Sequence, residues 1–372
     1  MPYCYYTCNL LPAAFLSRSG YEPRWFGALA LDAEFAGRFD SPNVHPMTCP
    51  FVTRLVTAAE RLLGEGPADD RVVVPGGCDA MRRAGDLLAS AYPDQVTTFR
   101  LPRFSDEGAL RELTRELERL EQWLGAPAES QAGRPDPAHG HPLEPGTRDH
   151  VAEDAQAVTA FAGPDATLND HPRGFDLPSA PRPGGVFVVG GPLSDDSLLR
   201  FIFRLGSHIS GVESCTAPAR WRALDGPSGE PGDGRDESRD VDRGGGPDEE
   251  PKATPLNNPL LEETARLILS AGVCPRRSSA DRRAYLAQRM TEARPSSVIY
   301  ARQSFCDPGA YDALLVAELA EKQGLPFLEV EVGFPLEISG PLRTRVEAFL
   351  EAQLLDDDLL DDLGDDLMRE ED

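Results

Sequence analysis

Strand-like and helix-like hydrophobic patterns alternate along much of the chain. Arg71–Pro75 (RVVVP) is a short β-branched run that ends in a Gly-Gly loop, and Ala80–Ala91 then spaces its apolar residues at helical intervals. Val96–Leu101 predicts the next strand. Ser105–Leu124 predicts a long amphipathic helix with Leu110, Leu113, Leu117, Leu120 and Leu124 on one face. The second half repeats the alternation. Gly185–Val189, Ser297–Tyr300 and Pro326–Val332 read as strands, and Ser194–Leu205, Tyr311–Gln323 and Leu342–Leu355 as helices. Asp195 and Asp196 stand in the first turn of the earliest of these helices, where the helix dipole favours acids. Strand–helix alternation implies parallel pairing, so the expected architecture is α/β, with a parallel sheet in each of two domains.

Two stretches break this pattern. Residues 126–183 are rich in Pro, Gly, Asp and His and lack bulky apolar periodicity, and residues 225–255 are more polar still. Such segments bury too little apolar surface to offset their ordering entropy, so both are expected to be disordered insertions. The expected layout is an N-terminal domain over 1–125, a linker over 126–183, a C-terminal domain over 184–355 interrupted at 225–255, and a tail over 356–372. The tail holds ten acids and one Arg.

Charge narrows the functional classes. Lys+Arg 37 against Asp+Glu 62 gives a net charge of -25, and Lys252 and Lys322 are the only lysines. A surface of that sign is unsuited to nucleic acid or anionic lipid, which are gripped by clustered basic residues. No apolar run approaches the roughly 20 residues of a membrane span. The N-terminal segment lacks the basic and small-residue marks of a signal peptide, and a cytoplasmic location is expected. No Gly-x-Ser-x-Gly or other hydrolase motif stands out.

The cysteines carry the candidate chemistry. There are 7, scattered and odd in number, which does not suit a disulfide framework. Cys78 follows the strand RVVVP through a Gly-Gly loop, and Cys306 follows SVIYARQSF, so both fall where ligands bind in parallel sheets, beyond the strands' carboxyl ends. Cys49 stands immediately before the helical run Val52–Leu63, where the dipole stabilises a thiolate. Cys78 and Cys306 are each followed by Asp, and Cys49 and Cys274 by Pro. With no CxxC pair a local zinc knuckle is not expected; thiolates distant in sequence instead suit an Fe–S cluster.

These segments resemble the 2-hydroxyacyl-CoA dehydratase family, which includes the benzoyl-CoA reductase subunits and the double-cubane cluster proteins. The resemblance runs through YYTCNLLP (Tyr5–Pro12), GYEPRWFGA (Gly20–Ala28), CPFVTRL (Cys49–Leu55), VVVPGGCDAMRRAGDLL (Val72–Leu88) and TFRLPR (Thr98–Arg103). It continues through GVESCTAPARW (Gly211–Trp221), CPRRSSADRRAYL (Cys274–Leu286), VIYARQSFCDPGAYD (Val298–Asp312) and SGPLRTRVEAFLE (Ser339–Glu351). It implies two flavodoxin-like (Rossmann-like) domains with an Fe–S cluster between them, held by Cys49, Cys78 and Cys306. Three thiolates of a [4Fe–4S] cube leave one iron open to substrate. The implied reaction is radical dehydration of a 2-hydroxyacyl-CoA. An ATP-dependent activator protein supplies one electron, and the resulting ketyl radical eases loss of the hydroxyl and of an otherwise non-acidic proton. The implied partners are a second family subunit or a second copy of the chain, the activator, and the acyl-CoA substrate.

Cys215, Cys274 and Cys8 are secondary cluster candidates, as in members that carry a double-cubane cluster. A low-potential ATP-dependent reductase of that type is the alternative reading, and a diverged, non-catalytic scaffold is a third. Cys4 is expected to be an inert packed thiol. His45, before Cys49, and the Gly190-Gly191-Pro192 turn are weak candidates, and the histidines at 139, 141 and 150 read as solvated. Arg343 and Arg345 read as surface ion-pair partners of Glu347 and Glu351. Ala217 stands where the family has Gly, and AAF follows Pro12 where relatives carry acids.

Overall fold

The computed structural model describes residues 1–8, 10–26, 41, 43–125, 182–214, 258–270 and 274–353. The sequence-predicted insertions, apart from residues 182 and 183, and the acidic tail lie outside them.

Two four-stranded, all-parallel sheets organise the described residues. In the first, β1 (Tyr3–Tyr6), β2 (Glu22–Trp25), β3 (Arg71–Pro75) and β4 (Val96–Phe99) stand in the order β2-β1-β3-β4. The second sheet has β5 (Val186–Gly190), β6 (Ile209–Ser214), β7 (Ser297–Gln303) and β8 (Phe327–Val332) in the order β6-β5-β7-β8. Each is therefore the same 2-1-3-4 winding, the flavodoxin-like order, with its switch point between the first and third strands. The two-domain α/β expectation is met, and the fold is two flavodoxin-like, Rossmann-like units.

The helices are α1 (Ala13–Arg18), α2 (Pro50–Glu65), α3 (Asp79–Ala91), α4 (Glu107–Gly125), α5 (Ser197–Arg204), α6 (Pro259–Ser270), α7 (Ser279–Ala293), α8 (Asp307–Lys322) and α9 (residues 340–353). Leu110, Leu113, Leu117, Leu120 and Leu124 of α4 are all buried, as their spacing predicts. In the second unit β5 alternates between two cores. Val186 and Val188 face α5 and α9, while Phe187 and Val189 face α7 and α8. A parallel strand covered on both faces is apolar throughout, which is why VFVV carries no polar alternation. One helix crosses over: α6 follows β6 in sequence, yet Leu261, Ala265, Ile268 and Leu269 bury in the core of the first unit, beside α4.

Several elements escape the periodicity. β2 (EPRW) contains Pro23, which is tolerated because the strand is at the sheet edge. Helix α7 (SADRRAYLAQRMTEA) looks polar all round because two arginines on its inner face, Arg282 and Arg289, are buried in ion pairs with Asp312 and Glu213. Helix α8 begins four residues earlier than the spacing from Tyr311 predicts. Asp307 and Pro308 occupy its first turn, where a dipole-favoured acid and a residue without N–H belong.

The carboxyl edges of the two sheets face each other. Phe51 of α2 packs edge-to-face on Phe334, beyond β8, with ring centroids 5.0 Å apart. The Ser278 N–H donates to the Arg103 carbonyl at 2.9 Å, and the Ser105 hydroxyl to Asp281 at 2.9 Å.

Candidate metal centre

Cys49, Cys78 and Cys306, dispersed along the sequence, converge where these edges meet. Each is the N-cap of a helix: Cys49 of α2, Cys78 of α3 and Cys306 of α8. Cys78 and Cys306 are topological equivalents, each following the third strand of its unit and each followed by Asp. Their sulfurs accept matching capping bonds, from the Met81 N–H at 3.5 Å and the Gly309 N–H at 3.4 Å. Cys49 closes no capping bond, but the Phe51 and Val52 amides favour its thiolate. Three helix N-termini thus turn their partial positive charge toward one place, an arrangement that stabilises anions.

The sulfurs interact across the interface. Cys49 and Cys306 share a hydrogen bond, and Cys78 is close enough to feel both electrostatically. The Cys306 hydrogen bond holds the Cys49 thiol below its ordinary range, and the same bond, with burial, pushes Cys306 up. Burial raises Cys78, opposed by the Met81 amide and by the Arg276 guanidinium. Arg276 packs so closely on Gly77 that an added Cβ would meet its Nε at 2.7 Å.

The backbone around Cys306 is special in two respects. Phe305, just before it, has φ 55°, left-handed for a bulky residue, and its ring is 51% exposed. A Cβ at Gly309 would approach the Cys306 sulfur to 3.2 Å, so glycine keeps that space open. Neither signal was legible from spacing alone. Behind Cys306, Asp312 of α8 pairs with Arg282 and accepts from the Tyr300 hydroxyl at 3.0 Å. Glu213 accepts from Tyr285 and Arg289 at 2.7 and 2.8 Å.

The secondary candidates divide. Cys274 is buried against the first core beside Leu10 and Leu101, and it is not part of the hydrogen-bonded thiol pair. Cys8 follows β1 at its switch point and packs at the rim of the same core. Cys215 lies outside the described residues. Cys4 is fully buried and its thiol is pushed up by burial, as an inert packed residue should be. His45 accepts from the Met47 N–H at 3.1 Å, a local turn contact. The Gly190-Gly191-Pro192 segment is a bonded turn, with the Gly191 and Pro192 carbonyls taken by Ser214 and Gln303 at 2.7 Å each. Arg343 lies 3.9 Å from Glu347, as its spacing suggests, and Arg345 bonds the Glu329 carbonyl.

Among the described residues no three His, Cys, Asp or Glu side chains are gathered to hold a single metal ion. Three soft sulfur donors at three positive helix ends fit an anionic Fe–S group.

Residues 246–352 match the family model for the 2-hydroxyglutaryl-CoA dehydratase D-component. Over this stretch, under a third of the chain, the protein is similar to the 2-hydroxyacyl-CoA dehydratase D-component. The matched stretch runs from before α6 almost to the end of α9 and includes Cys274 and Cys306, while Cys49 and Cys78 lie outside it. No curated protein matches the chain. No described helix is long and apolar enough to cross a membrane.

Proposed function

We propose that the chain is the iron–sulfur subunit of a 2-hydroxyacyl-CoA dehydratase-type enzyme and takes part in radical dehydration of a 2-hydroxyacyl-CoA. The observation that carries this reading is the meeting of Cys49, Cys78 and Cys306, each a helix N-cap, between two flavodoxin-like units. These three residues would hold a [4Fe–4S] cluster, which when bound supplies one-electron chemistry and an iron open to an oxygen ligand. The protein's own part is legible. The Met81 and Gly309 amides orient the Cys78 and Cys306 sulfurs. Helix dipoles and Arg276 compensate negative charge, and the buried Arg282–Asp312–Tyr300 group braces α8 behind Cys306. The D-component match supports work alongside a second subunit, and in this reading an ATP-dependent activator is the electron source.

The test is iron and acid-labile sulfide per chain after anaerobic purification, with an EPR spectrum of the reduced protein. About four of each, falling to near zero in Cys49→Ala, Cys78→Ala and Cys306→Ala, supports the assignment. Undiminished iron in Cys78→Ala refutes it. About eight irons, with Cys215 and Cys274 required, would favour the double-cubane reductase.

A further inference from the structure

Helix α7 and the turn before it carry five arginines, and four of them reach an oxygen acceptor. The Arg277 Nη2 donates to the Leu269 carbonyl at 2.7 Å, while Arg282, Arg283 and Arg289 pair with Asp312, Glu318 and Glu213. The fifth, Arg276, is half-buried and forms no ion pair among the described residues. Its guanidinium lies instead on Gly77, the residue before Cys78. A Cβ at Gly77 would stand 2.7 Å from the Arg276 Nε and 3.2 Å from its Cζ. The φ of Gly77 is not left-handed, so its backbone would accept another residue, and it is the Arg276 side chain that claims the space.

The turn that presents Arg276 is held on both sides. The Arg277 N–H donates to the Cys274 carbonyl at 3.1 Å and the Ser278 N–H to the Arg103 carbonyl at 2.9 Å. The Ser278 hydroxyl oxygen then caps α7 by accepting from the Asp281 N–H at 3.2 Å. A fixed cation therefore stands beside Cys78, and its charge is felt at that sulfur. On the Cys306 side, Arg302 of β7 is committed to Glu329 and Glu331. Thiolates are negative, and a metal group that they hold becomes more so when it takes up an electron. Net charge, hydrogen bonds to sulfur and burial set its potential. A guanidinium keeps its charge at every working pH, and half-burial reduces its screening by salt. It therefore favours the reduced state.

We infer that Arg276 is a positioning residue whose guanidinium, lodged on Gly77, raises the reduction potential of a metal group held by Cys49, Cys78 and Cys306. Gly77 is the other half of the device, because its missing side chain is what lets the cation approach. The inference rests on the cluster reading and adds to it the residue that sets how readily the electron is taken up.

Redox titration of the anaerobically purified full chain, followed by EPR with iron content measured in parallel, tests this. Arg276→Gln should keep its iron and titrate at a more negative potential. At the wild-type midpoint its ratio of reduced to oxidised protein should fall about tenfold, a shift of about 59 mV for one electron. Arg276→Lys, which keeps the charge, should recover most of that ratio. Gly77→Ala should shift it in the same direction as Arg276→Gln, because the new methyl group displaces the guanidinium while every charge in the sequence remains. Should Arg276→Gln fail to fold or to load iron, Gly77→Ala carries the test. Arg82→Gln, which removes an exposed cation of α3, should change the ratio by less than about twofold, since exposed charges are screened. An unmoved midpoint in iron-loaded Arg276→Gln overturns the inference alone. Equal shifts in the Gln and Lys variants also overturn it, because they would mark a packing role rather than a charge. A wild-type chain that loads no iron refutes the cluster reading and the inference with it.

Discussion

The buried Arg282–Asp312 pair gives the most exacting test of how the second unit holds α8, the helix that Cys306 caps. Two bonds of 3.0 and 2.9 Å join the side chains, each about 1% exposed, and the Tyr300 hydroxyl adds a third at 3.0 Å. Asp312→Asn keeps the shape and removes the charge. The next carboxylate, Glu213, is already committed to Arg289 and Tyr285, so the Arg282 guanidinium would remain buried without its counter-charge. Breaking such a pair costs about 3–5 kcal/mol, a large part of the 5–15 kcal/mol of a typical domain. For a protein of this size that corresponds to a fall in Tm of roughly 6–20 °C. The control is Arg283–Glu318, at the next residue of α7, whose side chains are 36% and 47% exposed. Arg283→Gln should cost less than about 1 kcal/mol. Replacing both partners, in Arg282→Met/Asp312→Leu, should recover most of the loss, because the cost lies in the orphaned charge rather than in the missing attraction. Urea unfolding with a far-UV signal measures all three variants. An Asp312→Asn penalty no larger than that of Arg283→Gln would refute the reasoning.

Other outcomes follow from the same interactions. Burial pushes Tyr6 up to about 12 from its ordinary 10.0, so the unfolded chain releases that proton first. Stability is therefore intact below pH 10 and falls between pH 10 and about 12, by about 1.4 kcal/mol per pH unit from this group alone. Cys4 and Tyr5 shift in the same direction. Alkaline denaturation followed by tyrosinate absorbance checks this, and tyrosines that all titrate near pH 10 in the folded protein would contradict it. Gly309→Ala places a methyl group 3.2 Å from the Cys306 sulfur, so iron retention should drop while the thermal midpoint of the iron-free chain moves little. Equal iron in the two proteins would show that the space around this sulfur is not used.

Much of the architecture was legible because parallel strands covered on both faces announce themselves. RVVVP and GVFVV were plain as apolar β-branched runs, and the leucine stripe of α4 as a helix face. What stayed hidden was held by polar contacts at long range. Helix α7 has its inner face built on Arg282 and Arg289, which read as surface residues until Asp312 and Glu213 are seen opposite them. The crossover of α6 onto the first core depends on which helix meets Leu261 and Ile268, and a local pattern does not contain that. Of the site, the helix start at Cys49 and the strand-end positions of Cys78 and Cys306 were legible, whereas the start of α8 directly after Cys306 was not. The left-handed Phe305 and the sulfur contact at Gly309 were not either, because both are properties of backbone already folded.

The division of the thiols between the two units has a thermodynamic consequence. Cys49 and Cys78 come from the first unit and Cys306 from the second, and the second sheet has its own cores on both faces. The described contacts that join the units include the Phe51–Phe334 stack, two hydrogen bonds, Arg276 against Gly77, the Cys49–Cys306 contact and α6 in the first core. A group held by all three sulfurs binds only the docked arrangement. It therefore stabilises docking by mass action, in addition to each unit's own folding. Without iron the two units should unfold in separable calorimetric steps, and the iron-loaded chain in one, at a higher temperature. Cys306→Ala should keep the two-step behaviour whatever the iron supply. If the iron-free chain already unfolds in a single step, and iron leaves its midpoint unmoved, the interface does not depend on the thiols and the three cysteines are packing residues.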